Sequence, residues 1–320
     1  MKVIVTTYPY NSENIEVKAA LDELRSTYGI EIKFNHCRRK YTKQEHLEVL
    51  QDEKPDIIIA GTESYDAEQL DVCDNLKMIS RVGIGLDSVN LEECKKRGIV
   101  VTNTPDAPTN AVAELTLSQI LSLLRLNHTV DAELRTGNWT RFIGREIGNC
   151  CVGVVGNGRI GSSVIEKIQA FSPREIMYVD TDTTKQTHPA HTWSTKQQIL
   201  QRCDIITLHI PLNKDNKNYI GQRELSLLKE DVVLINTSRG SIINEEELYW
   251  FLKNNPLASA AIDVFEKEPY EGKLLELSNI LLSPHLGSCT QNSRLLMESR
   301  SALAVLNYLQ GASLLSEVVA

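Results

Sequence analysis

The chain has 320 residues, a formal net charge of -8, 42% hydrophobic and 24% charged residues, the composition of a globular protein long enough for two domains. Its basic residues are scattered and not clustered, which argues against nucleic acid as a partner. Every apolar run is shorter than the ~18 residues that cross a bilayer, so no membrane segment is expected. The opening MKVIVTTYP predicts a first strand and not a signal peptide.

Strand-like and helix-like runs then alternate through the first third of the chain. Amphipathic stretches separate the strands, and one of them opens with Thr42 and Glu45 at the spacing of a capping box. Another opens at Asn90 and stops at Gly98. Alternation of this kind predicts parallel strands joined by crossover helices. The strand-like runs are KVIVTT, IEIKF, DIIIAG, LKMISRVG and GIVVTN.

The segment from Thr109 to about Arg135 has an apolar face and lacks glycine and proline. It predicts one long helix, able to pass between two domains. The alternation then resumes with strands that are almost continuously apolar, as expected where helices cover both faces of a sheet. From about Thr290 the sequence predicts one helix and a tail. The second set of strand-like runs is CVGVVG, EIMYVD, DIITLHI, VVLINTS, SAAIDVF and NILLSP.

Seven cysteines occur without a C-x-x-C pair, at positions 37, 73, 94, 150, 151, 203 and 289. The odd number and irregular spacing predict free thiols in a reducing cytoplasm. Cys150 and Cys151 head an apolar strand, where cysteine usually packs as a small hydrophobic residue. No metal site is expected.

Gly156, Gly158 and Gly161 form a G-x-G-x-x-G motif between a predicted strand and a predicted helix. The first glycine permits a tight turn, the second lets the backbone approach a pyrophosphate, and the third lets the helix pack on the strand. Asp180 ends the next strand, where a carboxylate accepts hydrogen bonds from ribose hydroxyls and repels a 2′-phosphate. Because no arginine follows it directly, the motif favours NAD over NADP. A glycine turn that binds nothing, and an ordinary polar Asp180 at a strand end, stay open as alternatives.

Three titratable or charged residues follow later predicted strands, namely Arg239, Glu268 and His285. Each alone also fits a surface turn, a solvated charge or a satisfied loop histidine. Beside a dinucleotide site they form a reaction scheme, because hydride transfer to a 2-keto acid builds negative charge on the carbonyl oxygen. A guanidinium pairs with the substrate carboxylate and polarises that carbonyl. A histidine supplies the proton, and a carboxylate orients the imidazole.

Ordered motifs run along nearly the whole chain. They include AGTES at 60–64, SRVGIGLDSV at 80–89 and NTPDAPTNAVAE at 103–114, followed by GNGRIG, LHIPL, NTSRG, AIDVFEKEP and PHLGS. In these residues the sequence resembles the NAD-dependent D-2-hydroxyacid dehydrogenases, in particular their phosphoglycerate dehydrogenase-like branch. The resemblance implies an α/β fold of two doubly wound parallel-sheet domains with a cleft between them. Residues 1–104 and 286–320 would form a flavodoxin-like substrate domain, and residues 105–285 a Rossmann NAD domain.

The resemblance also implies roles for single residues. Arg239 would grip the 2-keto acid, Glu268 would pair with the histidine, and His285 would donate the proton. Backbone N–H groups near Gly83 and Ile84 would hold the substrate carboxylate. The residues implied to bind the cofactor are Gly156, Gly158, Arg159, Ile160, Gly161, Asp180, Ile210, Thr237, Ser238, Asp263 and Gly287.

The function so implied is hydride transfer between NAD(H) and a small D-2-hydroxy or 2-keto acid. The substrate would be 3-phosphoglycerate-like or hydroxypyruvate- or glyoxylate-like, although Glu63, after the third strand, would repel a phosphate. A cytoplasmic homodimer is expected, with the apolar helix at 115–135 contributing to its interface. The alternative is an NAD-sensing scaffold without turnover, similar to the C-terminal binding protein corepressors.

Overall fold

The computed structural model describes residues 1–185, 190–314 and 316–319. The chain divides into two compact units. The first comprises Met1–Pro108 together with the chain from Cys289 onward, and the second comprises Thr109–Ser288.

The first unit is built on a sheet of six strands among the described residues, in the order β13-β5-β4-β3-β1-β2. Five of them are parallel, and their 2-1-3-4-5 order is that of flavodoxin-like doubly wound folds. The strands are β1 (Lys2–Val5), β2 (Glu31–Phe34), β3 (Ile57–Ala60), β4 (Met78–Arg81), β5 (Val100–Thr102) and β13 (Glu317–Val319). The helices are α1 (Ile15–Tyr28), α2 (Lys43–Glu53), α3 (Ala67–Asp71), α4 (Leu91–Lys96) and α11 (Gln291–Gln310).

Local signals in the sequence set several of these helix ends. Thr42 and Glu45 form the expected capping box at the start of α2. The Asn90 side chain accepts a hydrogen bond from the Glu93 N–H and so caps α4. The tail after α11 adds β13 to the sheet, where it pairs antiparallel with β5. The sequence pattern predicts no strand there.

The second unit contains a sheet of seven strands in the described ranges, in the order β12-β11-β10-β9-β6-β7-β8. All the paired strands are parallel, and the order is the 3-2-1-4-5-6 arrangement of Rossmann folds with one further strand. The strands are β6 (Cys151–Val155), β7 (Glu175–Val179), β8 (Thr192–Trp193), β9 (Ile205–Leu208), β10 (Val233–Asn236), β11 (Ser259–Ile262) and β12 (Ile280–Leu282). The helices are α5 (Thr109–Leu124), α6 (Asn127–Arg135), α7 (Arg159–Gln169), α8 (Lys196–Arg202), α9 (Gln222–Leu225) and α10 (Glu245–Asn254).

Buried aliphatic side chains cover both faces of this second sheet. Ile199, Leu248 and Leu252 belong to the core on one face, and Ile120, Leu123 and others pack on the opposite face. The expected fold of two doubly wound parallel sheets is therefore confirmed.

The prediction of one helix from Thr109 to about Arg135 is wrong. The chain breaks at Leu126, whose φ of 55° lies in the left-handed region, and a second helix follows. The Leu124 carbonyl accepts a hydrogen bond from the Arg145 N–H at 2.9 Å. A residue of the segment after α6 thus bonds to a carbonyl at the end of α5. No local sequence pattern predicts this contact. No helix within the described ranges has the length and apolar character needed to cross a membrane.

Candidate active site

The glycine-rich turn connects β6 to α7, and its three glycines differ in what an added side chain would meet. Gly156 has a φ of 93°, and a Cβ added there would lie 2.5 Å from the His209 carbonyl oxygen. A Cβ on Gly161 would lie 1.9 Å from the Gly156 carbonyl oxygen. A Cβ on Gly158, by contrast, would meet no atom within 4 Å. Gly156 and Gly161 are therefore required by close contacts within the protein. Gly158 borders open space, where a ligand can approach the protein backbone closely.

The first turn of α7 fits the pyrophosphate of a dinucleotide. Gly158 is the N-cap, and Arg159 and Ile160 open the helix. The N–H groups of a helix's first turn have no partner within the helix and carry partial positive charge. Ile210 lies on the other side of the turn, where its Cγ2 atom would be 2.9 Å from a Cβ added to Gly156. Arg159 and Ile160, predicted to contact the pyrophosphate, and Ile210, predicted to contact the adenosine half, thus lie around one turn.

Asp180 directly follows β7, and its carboxylate is bonded to the glycine-rich turn. Its Oδ2 atom accepts the Asn157 N–H at 2.8 Å, and its Oδ1 atom accepts the Asp182 N–H at 2.9 Å. Lys185 Nζ lies 3.6 Å from Oδ1. The carboxylate is thus held in place at the end of its strand, and its role as a ribose ligand stays a prediction. The ammonium of Lys185, five positions further along the chain, was not predicted.

Asp263 organises the loop that carries His285. The residue is fully buried, and burial raises the pKa of its carboxyl. Its Oδ1 atom accepts bonds from Ser283 Oγ at 2.5 Å and from the Leu286 N–H at 2.7 Å. Its Oδ2 atom accepts the Gly287 N–H at 2.9 Å. Asp263, which directly follows β11, therefore bonds to Gly287 in the loop after β12. Both residues are predicted to bind the cofactor.

His285 and Glu268 lie within ion-pair distance of each other in this unit. The Nδ1 atom of His285 lies 3.1 Å from Glu268 Oε1 and 3.0 Å from Oε2. The backbone of His285 has a φ of 56°, and its N–H donates to the Asp263 carbonyl at 2.8 Å. Because the Glu268 carboxylate lies against Nδ1, the other ring nitrogen, Nε2, is left to face a ligand. The pairing predicted from the sequence is present in the structure.

Arg239 follows β10 in a turn built by a buried asparagine. Asn236 Oδ1 accepts the Ser238 N–H at 3.0 Å and the Ser238 hydroxyl at 2.7 Å. Asn236 Nδ2 donates to the Arg239 carbonyl at 2.9 Å, and Arg239 Nη1 donates to the Ser238 carbonyl at 2.7 Å. The Thr237 hydroxyl lies 3.2 Å from that of Thr116. The sequence placed Asn236 in a motif but gave it no role, although its amide fixes the whole turn.

The first unit contains the loop predicted to hold the substrate carboxylate. Gly83 has a φ of 139°, and its N–H donates to Thr104 Oγ1 at 2.8 Å. The Ile84 carbonyl accepts a bond from Asn103 Nδ2 at 2.9 Å. A substrate carboxylate that accepts the Gly83 N–H would therefore share this donor with the Thr104 hydroxyl. The role of this loop in substrate binding stays a prediction.

Glu63 lies in the interior of the same unit. The side chain is 4% exposed, and burial raises the pKa of its carboxyl. Its Oε2 atom accepts a bond from Thr6 Oγ1 at 3.1 Å. The carboxyl is thus bonded in the interior of the unit, and repulsion of a ligand phosphate by Glu63 stays a prediction.

Comparison with known proteins gives the family. Residues 117–287 match the family model described as D-isomer specific 2-hydroxyacid dehydrogenase, NAD binding domain. The chain is 35% identical over 249 residues to a glyoxylate reductase of Thermococcus litoralis, which covers 74% of this chain and 75% of that protein. It is 32% identical over 302 residues to a D-3-phosphoglycerate dehydrogenase of Methanocaldococcus jannaschii, covering 92% of this chain. The chain spans only 55% of the length of that second relative.

A solved structure has the same overall fold. The crystal structure of the TT0316 protein from Thermus thermophilus superposes with a TM-score of 0.87 at 29% identity, and the match covers 100% of both chains. The chain belongs to the D-isomer specific 2-hydroxyacid dehydrogenase family. The expectations of an NAD-dependent oxidoreductase of this family and of NAD as its cofactor are thereby confirmed. A scaffold without turnover is not favoured.

Proposed function

We propose that the protein reduces a small 2-keto acid to the D-2-hydroxy acid, and runs the reverse reaction, with His285 as the proton donor and acceptor. The observation that carries the proposal is the 3.0 Å contact between His285 Nδ1 and Glu268 Oε2. A carboxylate at Nδ1 fixes the direction in which Nε2 points.

The cofactor fits the second unit through the open space at Gly158, the first turn of α7 and the carboxylate of Asp180. When bound, NADH supplies the hydride. Arg159 and Ile160 would contact the pyrophosphate, and Ile210 would contact the adenosine half. Thr237, Ser238, Asp263 and Gly287 would border the nicotinamide half.

Arg239 would bind the substrate carboxylate and polarise the carbonyl through its guanidinium. Its planar fork of N–H donors matches a carboxylate, and a fixed cation stabilises the negative charge that builds on the carbonyl oxygen. His285 would then deliver a proton to that oxygen, or accept it from the hydroxyl in the oxidation. Glu268 would hold the imidazolium until the proton leaves. The Gly83 and Ile84 loop of the first unit would supply further N–H donors to the substrate carboxylate.

These assignments give each unit a separate binding role. The second unit would bind the cofactor, and the first would bind the substrate. The boundaries proposed from the sequence are 104/105 and 285/286, while the compact units divide after Pro108 and before Cys289.

We further propose that the protein is a cytoplasmic homodimer. None of the cysteines that the structure describes forms a disulfide, which supports a reducing compartment. The end of α6 and the segment after it expose large apolar side chains, with Leu134 at 55%, Trp139 at 84% and Ile143 at 97%. Exposed apolar residues grouped in one segment support a surface covered by a second copy. Light scattering behind size-exclusion chromatography would give twice the chain mass, and Trp139→Ser with Ile143→Ser would give the monomer mass.

The direct test of function is a panel of 2-keto acids with NADH. Glyoxylate, hydroxypyruvate, pyruvate and 3-phosphohydroxypyruvate cover the substrate classes suggested by the resemblance. Loss of absorbance from NADH on one of them, with a D-2-hydroxy acid as the product, would support the proposal. Absence of turnover across the panel, combined with tight NADH binding, would contradict it.

A further inference from the structure

Glu268 lies in a surface loop that has little core packing. The loop follows β11, and its residues Glu266, Lys267 and Glu268 are exposed. Phe265 anchors its start by stacking on Tyr270, with ring centroids 4.3 Å apart. An exposed loop of this kind does not by itself hold a carboxylate within 3.0 Å of an imidazole. Something else must fix the loop.

One such contact comes from the first residue of α10. Glu245 Oε1 accepts the N–H of Glu266 at 2.6 Å. The start of α10 is itself fixed, because the Asn244 side chain caps it by accepting the Glu247 N–H at 3.1 Å. The carboxylate of Glu245 thus ties the loop to a capped helix.

The turn after Arg239 supports the same peptide from another side. A Cβ added to Gly240 would lie 1.9 Å from the Phe265 carbonyl carbon and 2.3 Å from the Glu266 nitrogen. The peptide between Phe265 and Glu266 is therefore in contact with the Gly240 backbone and bonded to the Glu245 carboxylate. The N–H of Phe265 belongs to the preceding peptide, on the other side of the same Cα, and it donates to Glu268 Oε1 at 3.2 Å. Fixing the Phe265–Glu266 peptide therefore also restricts the backbone that orients the carboxylate facing His285.

We propose that Glu245 is a positioning residue for proton transfer, because its carboxylate holds the N–H of Glu266 while the neighbouring N–H of Phe265 is bonded to the Glu268 carboxylate that faces His285. The inference rests on the proposed function of Glu268 and His285. Glu245 is half buried. Burial is the first cause that raises the pKa of its carboxyl, and the neighbouring charges of Glu266 and Glu268 raise it further.

The alternative role for Glu245 is purely local, as an acidic residue that stabilises a helix N-terminus. Glu246 provides the matched control. It occupies the next position in the first turn of α10, is exposed, and pairs with Lys273 Nζ at 2.8 Å. It accepts no bond from the 265–268 loop among the described contacts. Glu246→Gln therefore removes the same charge from the same helix turn and leaves the loop contact intact.

The test uses Glu245→Ala, Glu245→Gln and Glu246→Gln in the full chain, with the 2-keto acid that wild type reduces. We measure kcat and KM, NADH affinity by fluorescence, and Tm. Glu245→Ala is expected to lower kcat/KM roughly three- to tenfold through misplacement of the reacting groups, and by no more than Glu268→Gln, because it acts through that carboxylate. NADH affinity and Tm stay close to those of Glu246→Gln.

Glu245→Gln separates bonding from charge. Its amide oxygen still accepts the Glu266 N–H, so kcat/KM recovers most of the loss seen in Glu245→Ala. If Glu245→Gln is as slow as Glu245→Ala, or if Glu246→Gln is equally slow, the positioning role is wrong. If Glu245→Ala retains the wild-type rate, it is wrong as well.

A double variant identifies the route of the effect. Residues that act through one another give non-additive losses. Adding Glu245→Ala to Glu268→Gln is therefore expected to cause little further loss, whereas multiplied losses would mean that Glu245 acts independently of Glu268. Should Glu268→Gln alone leave the rate unchanged, the proposed function of the pair fails, and this inference fails with it.

Discussion

His285 Nδ1 and Glu268 Oε2 lie 3.0 Å apart although 17 positions separate them in the chain. Two different loops of the second unit supply them, one after β11 and one after β12. The Asp263 carbonyl, its carboxylate and the Phe265 N–H fix these loops through hydrogen bonds. The pair is therefore set by the backbone around it and not by its own contact alone.

Replacing Glu268 by glutamine keeps the size of the side chain and removes its charge. The His285 ring then loses the carboxylate that holds it in place. We expect kcat/KM for the keto acid to fall about tenfold, with NADH affinity unchanged. Steady-state reduction assays and NADH binding by fluorescence check this. A wild-type kcat/KM would contradict it.

Arg239→Lys tests the guanidinium. Lysine retains a positive charge but lacks the planar fork that binds a carboxylate through two bonds. Nη1 of Arg239 donates to the Ser238 carbonyl at 2.7 Å, a contact that sets the plane of the fork. We expect kcat/KM for the keto acid to fall about a hundredfold. NADH affinity, measured by fluorescence, should stay unchanged; a parallel loss of NADH affinity would place Arg239 with the cofactor and not the substrate.

Asp180→Ser tests the cofactor preference. The carboxylate that would bind the ribose hydroxyls and repel a 2′-phosphate is lost, while Lys185, with Nζ 3.6 Å from Asp180 Oδ1, remains. A charged hydrogen bond is worth ~1.5–3 kcal/mol, so the ratio of kcat/KM for NADH to that for NADPH should fall roughly ten- to a hundredfold.

Lys185 supplies the control for this variant. We expect the double variant Asp180→Ser with Lys185→Ala to have a lower kcat/KM for NADPH than Asp180→Ser alone, because no ammonium then faces the 2′-phosphate. Equal use of NADH and NADPH by the wild type would remove Asp180 from its proposed role.

His46 predicts how the stability of the first unit depends on pH. Burial lowers the pKa of His46 from 6.5 to about 4, and its ring packs edge-on against Tyr65 at 4.9 Å. The unfolded chain therefore binds this proton first, so stability is full above about pH 6.5 and falls between pH 6.5 and pH 4. The loss is on the order of 2 kcal/mol by about pH 5.

Urea unfolding at about pH 7 and about pH 5, followed by circular dichroism, measures this loss. His46→Gln does not titrate, so its free energy of unfolding should change less between the two pH values than that of wild type. Equal changes in both proteins would show that His46 does not titrate in this range on unfolding.

The sequence could predict those parts of the fold and site that depend on neighbouring residues. The glycine-rich turn at 156–161, the capping box at Thr42 and the apolar strands are local patterns, and the structure contains each of them. Arg239, Glu268 and His285 were identified because each ends a predicted strand and because the motifs around them resemble a family.

The remaining features depend on contacts between distant segments. Next to the break at Leu126, the Leu124 carbonyl is bonded to the Arg145 N–H, and the buried Glu63 carboxyl is bonded to Thr6, which follows β1. The bond from Glu245 to the 265–268 loop joins residues 21 positions apart. A single sequence shows the residue types but not which of them meet, so these contacts could not be predicted.

The central claim is that His285 moves the proton, and His285→Gln tests it most directly. With the keto acid that wild type reduces, single-turnover experiments at saturating NADH should show a rate roughly a hundred- to ten-thousandfold below wild type. NADH affinity should be unchanged, since the variant retains the glycine-rich turn and Asp180. A single-turnover rate equal to that of wild type would contradict the account.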